Sequence, residues 1–114
     1  MGFSQNREEL LKIDLHCHTK YSGDNYLEPE ELIKQAIKKT LDGVCITEHS
    51  SLLDSWVIEK IKVPDDFYVF RGVELSTNHG HLLIYGLKED SWDPWYSHNY
   101  LDLSQVLERV HRHR

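Results

Sequence analysis

Short apolar runs alternate with amphipathic segments along this chain, and this alternation constrains the fold more than any other feature of the sequence. The strand-like apolar runs occupy residues 10–15, 44–47, 67–75 and 81–87. Apolar side chains at helical spacing occupy residues 28–41, residues 52–61 and a segment that begins at Asp102. Strands that alternate with helices predict an α/β fold, with a parallel sheet or part of a barrel.

The first helical segment carries start and stop signals. Pro29 suits the first helical turn, and Glu30 and Glu31 lie near the positive end of the helix dipole. Asp42 and Gly43 are predicted to end this helix, because glycine is the usual residue beyond a helix C-terminus. The aromatic stretch at residues 88–100 is irregular and predicts either a surface loop or part of a substrate rim.

Length and charge restrict the class of protein. The 114 residues suit one domain, spanning residues 1–114. The formal net charge of -6 argues against a protein that binds nucleic-acid backbones, because such a protein presents a basic face. No apolar run approaches the ~20 residues of a membrane-spanning helix, and no signal peptide opens the sequence. We therefore expect a cytoplasmic protein that makes no membrane contact.

Histidine and glutamate side chains occur at the ends of successive apolar runs. In chain order they are His16, His18, His49, Glu74, His79 and His81. The carboxyl ends of parallel strands meet at one edge of a sheet, and residues 16 and 18 point the same way in an extended chain. Two adjacent imidazoles are poor neighbours as charges but good neutral metal ligands. This pattern predicts a site for Zn, Mn or Fe.

Four further residues allow more than one interpretation. Cys17 lies between two histidines, so an extended backbone turns it to the opposite face, and Cys45 lies in an apolar run. Both cysteines are therefore predicted to lie in the core and not in a disulfide. Lys20 and Arg71 are candidate phosphate contacts by charge alone, or else solvated surface residues.

Three motifs in this order resemble those of the PHP (polymerase and histidinol phosphatase) domain family. "DLHCHTKYSGD" at residues 14–24 is similar to the first motif, "ITEHS" at 46–50 to the second and "GVELS" at 72–76 to the third. "GHLLIYGL" at 80–87 is similar to the strand that follows them. The resemblance implies a distorted (β/α)7 barrel with two or three divalent metal ions. It also implies metal-assisted hydrolysis of a phosphorylated small molecule or nucleotide.

The resemblance implies roles for individual residues as well. His16 and His18 would bind one metal ion, and Glu74 would bridge two. Asp24 would share a further ion with His49. Glu74 and His49 would thus belong to the catalytic centre.

Two other positions follow from the same resemblance. His81 is the better match for the next metal ligand, with His79 as its rival. Glu48 stands where the family commonly has an acidic residue, and we expect it to support the ligands from outside the metal site.

The chain also departs from the family pattern. Family members use later ligands, a histidine after a fifth strand and an Asp-x-His near the end, and no Asp-x-His follows residue 87 here. We therefore expect only the first half of the barrel, with an open sheet edge that favours a homo-oligomer. His98 or the terminal His111 and His113 are possible substitutes for the late ligands. The alternatives are a non-catalytic or truncated module of this family and a metal-dependent amidohydrolase, which also begins with His-x-His after its first strand.

Overall fold

Four strands, two α-helices and two 3₁₀ helices form the described part of the chain, residues 10–49, 53–86 and 100–112 of a computed structural model. The strands are β1 (Ile13–Cys17), β2 (Gly43–His49), β3 (Tyr68–Thr77) and β4 (Gly80–Tyr85). The α-helices are α1 (Pro29–Lys38) and α2 (Leu103–Arg112), and the 3₁₀ helices are Lys20–Ser22 and Leu53–Lys60. The predicted helix at residues 52–61 is thus a 3₁₀ helix.

The strands form one mixed sheet in the order β1-β2-β3-β4. The first three strands are parallel, as predicted, but β4 runs antiparallel to β3. Only Asn78 and His79 separate these two strands, and a parallel crossover needs a dozen or more residues. The reversal has a consequence for the site, because it places the start of β4 beside the end of β3, with His81 paired to Ser76.

Glu74 does not end the third strand, as the sequence suggested, because β3 continues to Thr77. Instead, Glu74 is the last residue of β3 that pairs with β2. On one edge of β3, the pairing with β2 ends at the pair His49–Glu74. On the other edge, the pairing with β4 extends from Gly72 to Thr77. Past the end of the pairing with β2, Thr77 of β3 pairs with Leu101, which lies just before α2.

The end of α1 also differs from the prediction. The amides of Thr40 and Leu41 donate to the carbonyls of Ile37 and Ala36, the hydrogen-bond pattern of a Schellman motif. Thr40 takes the left-handed conformation there, with φ 62°. Gly43 instead begins β2, where an added Cβ would lie 2.6 Å from the carbonyl oxygen of Tyr68.

All the described helices that pack on the sheet cover one of its faces. The core beneath α1 and the longer 3₁₀ helix contains Cys17, Ile33, Ala36, Val44, Ile46, Ile58 and Phe67. The core beneath α2 contains Val73, Leu75, Ile84 and Val106. Both cysteines are buried and unpaired, as predicted, and burial raises the pKa of Cys17 to about 12 and that of Cys45 to about 11.

The sheet is strongly curled toward its other face. The hydroxyl of Tyr85 on β4 donates to the carbonyl oxygen of Leu15 on β1 at 2.8 Å, although two strands separate them. In a flat sheet, these edge strands would be about 14 Å apart. Gly72 permits this contact, because an added Cβ would lie 3.2 Å from the Tyr85 ring. A curled sheet with its helices outside has the form of a partial barrel.

No helix among the described residues is long and apolar enough to cross a membrane. Residues 87–99, which include His98 and nearly all of the predicted aromatic stretch, lie outside the described residues, as does His113.

Candidate metal centre

The Glu74 carboxylate is the centre of the site. Glu74 follows Val73 on β3, and strand alternation turns its side chain away from the core that holds Val73 and Leu75. Only 2% of Glu74 is exposed. A buried carboxylate needs charged or hydrogen-bonding partners, because burial without them is costly. The partners here are imidazoles from three other segments.

Two of these imidazoles belong to the His-x-His pair. Nε2 of His16 lies 2.9 Å and Nε2 of His18 lies 2.8 Å from the same Glu74 oxygen, Oε1. The two Nε2 atoms are 3.2 Å apart. Tetrahedral ligands at metal distances of about 2.0–2.1 Å are roughly 3.3 Å apart, so these three atoms have the spacing of ligands around one ion. His16, His18 and Glu74 could therefore hold a metal ion.

The remaining predicted residues lie next to this group. Nδ1 of His81 lies 2.7 Å from Glu74 Oε2, the other carboxylate oxygen. His49 stacks on His18 with ring centroids 4.5 Å apart, and its Nδ1 lies 3.9 Å from Glu74 Oε1. Its other nitrogen, Nε2, lies 3.2 Å from Oδ2 of Asp24. The structure thus brings together all six residues that the sequence proposed as ligands.

The electrostatic surroundings favour the ionised form of both acids in the site. Burial alone raises the pKa of Glu74, but the hydrogen bond from His16 and the nearby charges of His16, His49 and His18 outweigh it, so that the pKa is lowered. The pKa of Asp24 is also lowered, first by a hydrogen bond from Asn25 and then by the charge of His49. Ionised carboxylates beside imidazoles form a donor set that suits a divalent cation.

A hydrogen-bond network of Thr19, Ser22 and Glu48 contacts the imidazole of His18 and the backbone of His49. The Glu48 carboxylate is fully buried and accepts hydrogen bonds from the amide and the hydroxyl of Thr19. It also accepts a hydrogen bond from the Ser22 hydroxyl at 2.6 Å, and Ser22 Oγ lies 3.0 Å from Nδ1 of His18. Glu48 therefore lies outside the ligand group, as expected. Thr19 and Ser22 were not among the predicted site residues, although both lie between His18 and Asp24 in the sequence.

Three other candidates have positions away from this group. His79 lies in the turn between β3 and β4, whereas Nδ1 of His81 lies 2.7 Å from Glu74 Oε2, so geometry favours His81 over its rival. Lys20 forms an ion pair with Glu28 at 3.0 Å. The Arg71 side chain is nearly buried and pairs with Glu59, so it is not a solvated surface residue. Strand alternation turns Arg71 to the sheet face opposite Glu74.

Comparisons with known proteins agree with the motifs. The family model of the PHP domain matches residues 14–108. An uncharacterized protein of Methanocaldococcus jannaschii is 33% identical over 90 residues, which cover 70% of this chain and 53% of that protein. A probable phosphatase of Caldicellulosiruptor bescii is 39% identical over 75 residues, which cover 59% of this chain and 31% of that protein. A probable phosphatase of Caldicellulosiruptor saccharolyticus is 38% identical with the same coverage. The chain thus spans about half, or less, of the length of these relatives.

Proposed function

The chain belongs to the PHP domain family, and from this premise we propose that it is a metal-dependent phosphoesterase. Its substrate would be a phosphorylated small molecule or a nucleotide. The observation that carries the proposal is the buried carboxylate of Glu74, with nitrogens of His16, His18 and His81 within 3 Å of its two oxygens. The names of two relatives, both probable phosphatases, support the same class of reaction.

We assign the metal positions from the donor atoms. His16, His18 and one oxygen of Glu74 would hold the first ion. The second would lie between Glu74 and the His49–Asp24 pair, since His49 directs one nitrogen toward each carboxylate. A third position would use His81. Two or three ions of Zn, Mn or Fe fit this set, because it contains imidazole and carboxylate without thiolate.

Each residue would contribute to hydrolysis in a definite way. A divalent ion held here supplies a Lewis acid that polarises a phosphoryl oxygen and lowers the pKa of a bound water. Glu74 offsets the positive charge and, through its two oxygens, fixes the spacing of the ligands on either side. His49, together with Glu74, would be a catalytic residue, because Glu74 belongs to both proposed metal positions and His49 to the second of them.

A direct test combines metal analysis with a phosphatase assay. The purified chain is expected to contain divalent metal and to melt at a lower temperature after chelation, because an ion bound only to the folded state stabilises it. Generic phosphomonoesters and phosphodiesters should be hydrolysed on addition of Mn or Zn, and not by the chelated protein. Metal content without phosphoester hydrolysis would favour a non-catalytic module. Hydrolysis of amides in place of phosphoesters would favour an amidohydrolase.

We further propose that residues 1–114 act as one domain with the architecture of the first half of a distorted (β/α)7 barrel. The curled sheet supports this, but among the described residues the face inside the curl is only partly covered. Leu15, Tyr68, Phe70 and Tyr85 on that face are each 44–54% exposed. Leu15, Phe70 and Tyr85 surround a depression of about 310 Å³ whose lining includes Cys45.

A second copy of the chain is the partner we propose for this face. Exposed apolar patches of this kind mark association surfaces. In sedimentation velocity, the chain is expected to form dimers or larger species at micromolar concentration. Phe70→Lys should shift the protein toward the monomer, because it places a charge on the apolar face. Tyr26→Lys is the matched control, since Tyr26 is 97% exposed and lies outside the sheet. A monomeric parent chain, or an equal effect of both variants, would contradict this proposal.

A further inference from the structure

The hydroxyl of Ser22 lies at a junction of three polar groups. Its oxygen is 2.6 Å from Oε1 of Glu48, 3.0 Å from Nδ1 of His18 and 3.2 Å from the backbone nitrogen of His49. A serine hydroxyl offers one proton to donate and two lone pairs to accept. Three contacts therefore use its full capacity, and the direction of each can be assigned.

Two of the three directions follow from the neighbours. The backbone N–H of His49 can only donate, so it uses one lone pair of Ser22. Oε1 of Glu48 already accepts the amide proton of Thr19 at 2.9 Å, and a carboxylate oxygen has no proton to offer. The Ser22 proton therefore points to Glu48. Its one remaining lone pair faces Nδ1 of His18, which must supply the proton of that hydrogen bond.

We infer that Ser22 is a positioning residue that holds His18 in the form with a proton on Nδ1. The inference deepens the metal site and, in its consequence for metal binding, rests on the proposed function. With Nδ1 protonated, the lone pair of a neutral imidazole is on Nε2, which is the atom that lies 2.8 Å from Glu74 Oε1. Ser22 thus presents the ligand atom of His18 to the ion position.

The network is built to keep this arrangement fixed. Thr19 and Glu48 are both completely buried, so water does not compete for their hydrogen bonds. Without the Ser22 hydroxyl, Nδ1 of His18 would lose its acceptor. The other tautomer, with its proton on Nε2, could then donate to Glu74 and occupy the space of the ion. Partners that orient a ligand histidine in this way typically change metal affinity by about 10–100-fold.

NMR of the imidazole nitrogens tests the inference directly. Long-range ¹H–¹⁵N spectra report which nitrogen of His18 carries a proton, first in the metal-free protein and then during a zinc titration. In the parent chain, we expect Nδ1 to be protonated in both states. In Ser22→Ala, we expect the Nε2-protonated tautomer in the metal-free protein and a zinc affinity lower by about 10–100-fold. Ser22→Thr retains the hydroxyl and should restore both properties.

Ser104→Ala is the matched control, because the Ser104 hydroxyl bonds Asp102 at the start of α2. It should change neither the tautomer nor zinc affinity. A parent chain with no proton on Nδ1 of His18 would overturn the inference even if Ser22→Ala failed to fold. Equal zinc affinity of Ser22→Ala and the parent would overturn it as well. If no variant bound zinc, the proposed function would fail, whereas the metal-free spectra would still decide the role of Ser22.

Discussion

Replacement of Glu74 by glutamine is expected to reduce affinity for divalent metal by more than about 100-fold, beyond the usual effect of residues outside the ligand shell. Glutamine has nearly the same shape as glutamate, but it lacks the negative charge that offsets the ions. Its amide group would also direct protons toward the nitrogens of His16, His18 or His81, which now face carboxylate oxygens. Phosphoesterase activity should fall with metal occupancy.

The fold of the Glu74→Gln protein should be largely retained, because the substitution removes a buried charge without opening a cavity. Calorimetric titration with zinc or manganese measures the affinity, and circular dichroism monitors the fold. Glu108→Gln is the matched control, since it makes the same change of charge at an exposed position on α2. Unchanged metal binding by the Glu74 variant would show that the ions bind elsewhere.

Replacement of Gly72 by alanine is expected to destabilise the sheet by about 1–3 kcal/mol, the usual cost of overpacking. The new Cβ would lie 2.6 Å from the carbonyl oxygen of Ile84, a backbone atom that cannot turn aside. It would also lie 3.2 Å from the ring of Tyr85. Relief of these contacts requires the β3–β4 pairing to shift and the Tyr85 hydroxyl to leave the carbonyl of Leu15.

Denaturant unfolding measures this loss, and two further variants separate its causes. Tyr85→Phe removes only the hydrogen bond to Leu15 and should cost about 1 kcal/mol. Ser76→Ala adds no atoms to the same face of β3 and should have a smaller effect than Gly72→Ala. If Gly72→Ala were as stable as the parent chain, the sheet would be flatter than described, and the close contact at residue 72 would be wrong.

The sequence predicted the parallel core of the sheet correctly but missed the direction of β4. Residues 44–47 form a continuous run that is fully buried in the sheet, and such runs identify buried strands well. Direction depends on the length of the connection. The five residues between the predicted third and fourth strands are too few for a parallel crossover, so the signal for a hairpin was present.

The longer 3₁₀ helix illustrates a second limit. Apolar residues three apart lie on one side of an α-helix and of a 3₁₀ helix alike, so spacing did not distinguish the two at residues 53–60. Similarly, an Asp-Gly pair suggested a helix end, whereas Gly43 serves close packing against Tyr68 at the start of β2. Such close contacts between distant segments are not visible in local sequence.

The site residues that could be predicted from the sequence are those that lie near strand ends. The spacing of His16 and His18, together with strand alternation, was sufficient to place both imidazoles on one side. The proximity of His81 to Glu74 depends on the antiparallel direction of β4, which was not predicted. The roles of Thr19 and Ser22 depend on hydroxyl directions, and no periodic pattern encodes these.

Because β1 lies at the edge of the sheet, metal binding would also stabilise the fold. β1 pairs only with β2 among the described strands, and its register is irregular between Asp14 and Cys17. An ion bound by His16 and Glu74 would join residues 58 positions apart, across the intervening strand. A metal ion bound in this way acts like a cross-link. Closing a loop of this size stabilises the folded state by about 3–5 kcal/mol, because it lowers the chain entropy of the unfolded state. The two cysteines of this chain are buried and unpaired. The ion would thus provide the covalent-like cross-link that a disulfide bond provides in other proteins.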